Sequence, residues 1–572
     1  MSRKPDINMP RAAAKDALEA THLKILKWIL GVHKRANNNF CYGNTGMQEE
    51  EMTLLTESDP LVNMQISSTS TTGNGSELRE VTVQDVLNEA RFSLMDAMFV
   101  VALGLIAMAD SMQACYLAIV LPVLKCNWQL SAAQEATATA LTLCGTGFGG
   151  IFLGPLSDRH GRKPTAAITS LILFLSMITT SFSPNFVFFL FFGIVGGLCV
   201  GGSLSIAYTF WAEVSSQNYR AAGFVVITMF WNSGLAISNG FALLVLNRIG
   251  WRIFTALMSL PAVMAVLIIS FLPESPKFLN RARKDDPTKL MNALRQKLRS
   301  ANVSYNLSEV KILREPGSDQ GTTNETTITR SFATIFGDEL RKDTLKILAI
   351  YSCLQVLYKG LLYVVTGIFA KDFCGLTISD SALNSNLGSQ DNFSNCDTLS
   401  NGDLMNGVLL SVALYPSTVI SVYMAEKIGE SKTLKLFAVA CFVFCTVMLI
   451  CLPTALFFIN IGLLIFSVAG MSLILYMVLP QMYPTVVRNS GFGLVDGVGK
   501  LVASIGVFVI TAALESSVRG AIGILVLICL LIIVQSLLLR VRGDLKDNQE
   551  RTSESNGYHE KDKVKNSLPH LD

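Results

Sequence analysis

The chain has 572 residues, 51% of them hydrophobic and 16% charged, with a mean hydropathy of +0.44. So few charges exclude an ordinary soluble domain, where they make up roughly 25%, and a net charge of +3 is too small to point to a nucleic-acid partner. About twelve apolar runs reach the length of roughly 20 residues that a bilayer-spanning helix needs, so the fold class read from composition is an all-α, multi-pass membrane protein.

Residues 1–90 read as a polar tail in which no apolar run precedes a small-residue cleavage site, so the first span is expected to act as a signal anchor. Residues 22–35 read as a basic amphipathic helix, fit either to lie on an acidic lipid surface or to pack on the protein. Glu50, Glu51, Leu54 and Leu55 form an acidic double-leucine pattern that resembles an adaptor-binding sorting signal. Residues 64–78 read as a Ser/Thr/Gly-rich linker. Six spans are then expected near 97–124, 132–155, 165–182, 186–212, 221–246 and 252–272. A charged loop follows over 273–342, and six more spans near 343–370, 403–424, 433–454, 457–480, 490–514 and 519–540. The domain reading is an N-terminal tail (1–90), a six-helix half (91–272), a central loop (273–342), a second six-helix half (343–540) and a charged C-terminal tail (541–572). Cations gather at Arg159–Lys163, Lys277–Lys284 and Arg540–Lys546, which places both termini and the central loop in the cytosol.

Most of the twelve cysteines fall within spans, as Cys115, Cys144, Cys199, Cys441, Cys445 and Cys451 do, and read as small apolar packing. Cys126, Cys374 and Cys396 fall in loops expected on the non-cytosolic side, where disulfides persist, and Cys374–Cys396 is the expected pair. Asn392 begins a sequon in the same loop and is the expected glycosylation site, whereas Asn302, Asn306 and Asn324 are expected on the cytosolic side. No metal-ligand spacing appears among the five histidines, and no cofactor is expected.

Ionisable residues within spans are costly and mark candidate sites. Asp110 lies mid-span in the first helix and reads as a cavity carboxylate for a proton or a cationic solute, or else as one half of a structural pair. Lys359 lies mid-span in the seventh, where it is placed to pair with Asp110 or to bind solute jointly with it. Asp496 and Lys500 stand four residues apart in the eleventh and can satisfy each other. Gln113, Trp231, Asn232 and Tyr363 complete the candidate lining, with ordinary packing as the alternative.

A second group is expected to form a gate at the cytosolic end. Gly154, Asp158, Arg159, Gly161 and Arg162 lie in a ten-residue stretch between the second and third spans, with glycines that permit close helix approach and a tight turn. Glu213 and Arg220 follow the fourth span, Glu274 follows the sixth within Pro273-Glu274-Ser275-Pro276, and Arg488 follows the tenth after Tyr483-Pro484-Thr485. Carboxylate–arginine pairs at such places lock helix ends in one state and release them in another.

These motifs, in this order, resemble the major facilitator superfamily on its sugar-porter-like side, in particular the branch of synaptic vesicle 2-related proteins and organic ion transporters. The resemblance runs from Thr82 to about Arg540, with Met108-Ala109-Asp110-Ser111-Met112, Gly250-Trp251-Arg252 and Leu514-Glu515-Ser516 as further pieces. It implies twelve helices in two halves, a site between the halves near the membrane midplane, and a small organic solute as cargo, in a monomer on a vesicle, endosomal or plasma membrane. The chain departs from the branch at four places. Gln113 stands where relatives carry a second carboxylate, Phe191-Phe192-Gly193 where an arginine is expected, and Gln481 where a gating glutamate is expected. Glu426-Lys427-Ile428-Gly429-Glu430-Ser431-Lys432 is a degraded second copy of the charged turn. The leading expectation is a transporter working by alternating access, proton coupling included as an option. The alternative is a non-transporting vesicle protein that acts through its tails. No nucleophile, phosphate loop or metal site suggests an enzyme.

Overall fold

In the computed structural model, residues 79–282, 287–303, 310–313, 327–338, 340–370, 401–450 and 453–538 are described. The double leucine at Leu54-Leu55, the amphipathic segment 22–35, Cys374, Cys396, Asn392, Cys451 and the tail beyond 538 lie outside them.

The apolar runs become long helices whose ends coincide with polar and glycine-bearing turns. The first six spans are α2 (Leu94–Trp128), α3 (Ala132–His160), α4 (Arg162–Ser181), α5 (Phe186–Val214), α6 (Arg220–Phe241) and the pair α7 (Trp251–Met258) and α8 (Leu260–Phe271). Ahead of them lie β1 (Arg79–Val81) and α1 (Val83–Glu89). Between the spans and their second set come α9 (Pro276–Ala282), α10 (Pro287–Ser300), β2 (Val310–Ile312) and α11 (Thr327–Ile335). The second set is α12 (Arg341–Ala370), α13 (Asn401–Ile428), α14 (Glu430–Val447), α15 (Thr454–Met482), α16 (Arg488–Ser516) and α17 (Val518–Leu538). Nine spans among the described residues are long and apolar enough to cross a membrane. The more polar α12, α13 and α14 complete the twelve; α14, for example, opens with Glu430, Lys432 and Lys435.

Caps fix several starts. Ser93 and Asp96 form a capping box at α2, and Ser131 and Gln134 another at α3. Gly161, with φ at 107°, separates α3 from α4, and Gly429, with φ at 92°, separates α13 from α14. Two spans are less regular than their sequence suggests. The fifth continues from α6 into a π-helical turn over Ala242–Leu246, and the sixth breaks at Ser259, just ahead of Pro261. Cys126, expected in a loop, falls within α2 because the helix runs past it to Trp128.

Within each set the helices pack on one another: α2 on α6 and α8, α3 on α5, α12 on α16 and α17, and α14 on α15. Between the sets the extensive contacts are α3 with α16 and α6 with α13. The α3–α16 contact is a backbone seam. A Cβ added to Gly150 would stand 2.8 Å from the Gly493 carbonyl oxygen, and one added to Gly154 would stand 2.5 Å from the Asn489 carbonyl oxygen.

The tail reading of residues 1–90 is corrected over Arg79–Ala90. β1 pairs in parallel with β2, Arg79 opposite Val310 and Val81 opposite Ile312. Val83, Val86 and Leu87 of α1 bury against Leu290, Leu294 and Leu298 of α10, so a small apolar core forms outside the spans. The Lys297 ammonium meets the Asp96 carboxylate in a buried ion pair. Burial holds Lys297 below the ordinary lysine value, although Asp96 opposes that shift. The module is tied to the first set of spans by two amides. Gln84 Oε1 accepts from Arg220 Nη2 at 2.9 Å and Lys277 Nζ at 2.6 Å, and Asn88 Oδ1 accepts from Gln217 N at 3.0 Å.

Candidate functional site

Arg162 is the centre of a cluster that closes one end of the helix assembly. Its guanidinium is fully buried and stands 2.9 Å from the carboxylates of both Asp158 and Glu213, whose side chains are 3% and 0% exposed. It also donates to the Ser157 carbonyl at 3.1 Å and, across to the second set, to the Thr485 carbonyl at 3.2 Å. Arg488 Nη1 reaches Glu213 Oε1 at 3.4 Å, again across the sets. Ser275 Oγ donates to Glu213 Oε2 at 2.7 Å.

Asp158 faces the start of α16. Its carboxylate accepts from the Asn489 and Ser490 backbone N–H groups at 3.3 and 2.7 Å, and from Ser490 Oγ at 2.6 Å. A carboxylate there answers the unpaired N–H groups and positive end of the helix dipole. Glu274 does the same for α4, accepting from the backbone N–H of Arg162 at 3.1 Å, of Lys163 at 3.2 Å and of Ser275 at 2.8 Å. Burial nevertheless raises the Glu274 carboxyl above its ordinary value. A side chain at Gly161 would collide with the Glu274 carboxylate, so positive φ and lack of room both require glycine there.

The expected gate residues are therefore only partly gathered. Gly154, Asp158, Gly161, Arg162, Glu213, Glu274 and Arg488 meet at one end. Arg159 is exposed. Arg220, expected among the gate residues, instead donates to Gln84 and to Ser215, because the α1 module occupies its side of the turn.

Between the sets lies a cavity of about 430 Å³. It is lined from Asp110 and Tyr208, deep among the helices, out to Leu121, Pro122 and Glu135. Glu135 pairs with Lys125 at 2.9 Å, and both side chains are solvent-accessible, so this end reaches the surface while the Arg162 end is sealed. Asp110 Oδ2 accepts from Ser203 Oγ at 2.9 Å, and its Oδ1 from Trp231 Nε1 at 3.4 Å. Asn232 lines the cavity and donates to Thr418 Oγ1 at 3.1 Å, tying α6 to α13. Gln113 lines it as well, its buried amide beside the Tyr116 hydroxyl.

Lys359 lines the same cavity but makes no ion pair with Asp110. Its ammonium lies 5.6 Å from the Tyr358 ring centroid. Of the two arrangements expected for Asp110 and Lys359, the direct pair is not formed, and the two charges face shared space. Asp496 and Lys500 do pair, at 2.7 Å, and Tyr351 Oη donates to Asp496 Oδ1 at 2.5 Å. Asp496 is buried behind Lys500, which itself faces the cavity. Tyr363 lies on α12, its side chain outside the described residues. Sequence reasoning missed Ser203, Tyr208, Tyr351 and Tyr476. Each is an ordinary polar or aromatic residue in an apolar helix, and only its neighbours across the helix packing reveal its place. The stacked rings of Tyr208 and Tyr476, 5.1 Å apart and inclined by 3°, come from opposite sets.

Twelve membrane helices around a cavity sealed at one end by a polar cluster define a transporter of the major facilitator fold, and not an enzyme. The profile of the family described as "Sugar (and other) transporter" matches residues 92–541, and the chain belongs to that family. It is 26% identical over 461 residues to the putative transporter svop-1 of Caenorhabditis elegans, covering 80% of this chain and 85% of that one. It is also 26% identical over 473 residues to the synaptic vesicle 2-related protein of Pongo abelii, with 82% of each covered. Among solved structures, the proton:xylose symporter XylE bound to 6-bromo-6-deoxy-D-glucose superposes with a TM-score of 0.57 at 14% identity, covering 77% of this chain and 95% of that one.

Proposed function

We propose that the chain moves a small organic ion across a membrane by alternating access. The observation that carries this reading is the presence of Asp110 and Lys359 in one cavity that is sealed at one end and reaches solvent at the other. The two sets of helices rock about the α3–α16 and α6–α13 contacts. The Arg162 cluster parts as the Lys125–Glu135 end closes, and the midplane charges then face the other side. In this reading Asp110 holds the cationic part of the cargo, with a proton as its replacement in the empty carrier, and Asp496 positions Lys500. Both termini and the Arg162 end are cytosolic by the positive-inside rule. Likeness to synaptic vesicle 2-related proteins and the double leucine at Leu54-Leu55 favour a vesicle or endosomal membrane, with sorting adaptors as partners of a monomeric carrier.

One observation favours a second reading, a membrane protein that keeps the fold without transport. In the second copy of the charged turn the ion pair is replaced by an amide contact, Gln481 Nε2 to Glu430 Oε1 at 3.2 Å. Uptake into liposomes holding the full chain separates the two. The expected result with a panel of organic cations, anions and sugars is flux of at least one ion that falls about 100-fold in Asp110→Asn, with and without a pH gradient to test coupling. Folded protein that moves nothing on the panel supports the second reading instead.

A further inference from the structure

Four charged side chains line the cavity: Asp110, Glu135, Lys359 and Lys500. Two already have a fixed opposite charge, Glu135 in Lys125 at 2.9 Å and Lys500 in Asp496 at 2.7 Å. The remainder among the described residues is one carboxylate and one ammonium. Asp110 is 5% exposed, and its hydrogen-bond partners, Ser203 and Trp231, are neutral. Lys359 has the face of Tyr358 beside it and makes no salt bridge with a described carboxylate. The chain pairs its buried charges elsewhere, as at Asp496–Lys500 and Arg162–Glu213. These two it leaves without a direct ion pair, facing the open cavity, although Lys500 also acts on Asp110 from a greater distance than on Asp496.

We infer that the cargo is a zwitterion: a small molecule with an ammonium end seated at Asp110 and a carboxylate end at Lys359. The inference rests on the transport reading above and narrows it. Water serves both charges while the cavity is open. Closure over a solute removes that water, and a desolvated charge without a partner is costly. A simple cation answers Asp110 and strands Lys359, a simple anion does the reverse, and a neutral solute strands both. A zwitterion answers both and adds no net charge to the occluded state.

The surroundings agree with this polarity. Trp231 and Tyr208 line the cavity near Asp110, and aromatic faces attract ammonium groups. Lys359 lies on the facing set of helices, so binding a two-ended molecule bridges the halves and favours their closure. The Gln113 amide, which lines the cavity, offers a donor and an acceptor to a polar group between the ends. A cavity of about 430 Å³ suits a molecule of this size.

The test uses the full chain in liposomes and a length series of trimethylammonium carboxylates. Each is compared with its methyl ester, a pure cation, and with the isosteric tert-butyl carboxylate, a pure anion. At least one zwitterion is expected to enter about tenfold or more faster than both of its single-charge analogues. Asp110→Asn is expected to abolish the preference over the anion, Lys359→Gln the preference over the cation, and Lys359→Arg to keep both. Binding measured by thermal shift on detergent-purified protein reports the same order for any variant too slow to assay, and a variant without a cooperative melt is set aside in favour of the wild-type comparison. Faster entry of the ester or the tert-butyl acid than of every zwitterion overturns the inference and leaves the transport reading standing. Folded wild type that moves none of the three classes, nor any solute of the wider panel, overturns both.

Discussion

The turn after the second span and the turn after the eighth are two copies of one piece of backbone carrying different charges. In both, a glycine at positive φ separates the helices, and a threonine four residues on donates back to its carbonyl at 2.8 Å, Thr165 to Gly161 and Thr433 to Gly429. The residue after the glycine is Arg162 in the first copy and Glu430 in the second, and the partner at the end of the helix two spans later is Glu213 or Gln481. The first pair is fully buried and ionic, whereas the second is a neutral amide facing a carboxylate in a more open place. Backbone geometry therefore survives without the charges, and the charges are what closes the first copy. They also reach across: Arg488 of the second set finds Glu213, but its counterpart Arg220 has only Gln481 at the equivalent place and turns to Gln84.

Replacing the central charge tests the contrast most severely. Arg162→Met removes the cation in contact with both Asp158 and Glu213, leaving Glu213 the longer Arg488 contact, and a loss of about 3–5 kcal/mol is expected, read as a fall in melting temperature of the purified protein. A melt equal to wild type would mean that the first copy is no more essential than the second. Glu213→Gln makes the first copy resemble the second. It removes the charged partner of Arg162 and Arg488, with an expected cost of about 2 kcal/mol and faster protease cleavage in the Thr485–Arg488 turn. Unchanged cleavage would show that the neutral arrangement seals as well as the ionic one.

Glu274, which serves the first copy, adds a pH dependence. Because burial raises its pKa, the folded state binds this proton more tightly than the unfolded state does. Its contribution to stability is thus most favourable below the ordinary carboxylate value and declines as pH rises from there through the raised one. Glu274→Gln is expected to remove a slope of at most about 1.4 kcal/mol per pH unit from the stability profile in that window; an identical profile would count against it. The smallest effect is the reverse graft. Glu430→Arg with Gln481→Glu rebuilds the ionic pair in the second copy, and its greater exposure limits the expected coupling to about 1 kcal/mol. A double-mutant cycle on melting measures it, and zero coupling would show that burial, and not residue type, sets the contrast.

The spans were legible because nothing but length and apolarity decides them, as in Phe186–Val214, and their ends because Gly161 and Gly429 punctuate the pattern. The turn motif announced Asp158, Arg162 and Glu213 through its ionic spacing. That Asp158 also caps α16 was not legible, since the backbone N–H groups it accepts from are 331 and 332 residues away. The same distance problem hid Ser203 beside Asp110 and left Asp110 and Lys359 looking like a pair. The module of Arg79–Ala90 escaped because a three-residue strand and a seven-residue helix in polar sequence carry little periodicity, and both are stabilised by a partner more than 200 residues on. The π turn at Ala242–Leu246 has no apolar signature that differs from an ordinary helix.

The glycine seam between α3 and α16 has a consequence for speed. Backbone lies on backbone at Gly150 and Gly493, and the side chains that do enter the seam, Leu501 over Gly147 and Ile151 over Gly497, are held to its flank. Where backbone meets backbone, surfaces can separate and rejoin with few rotamers having to vacate a hole, which is expected to lower the activation barrier of a rearrangement and to leave its end states where they were. In the alternating-access reading proposed above, the polar cluster one turn away biases how much of the population sits in each state, and the seam sets how often molecules exchange between them. With the two properties assigned to different residues, cycling frequency and resting bias can be adjusted one at a time.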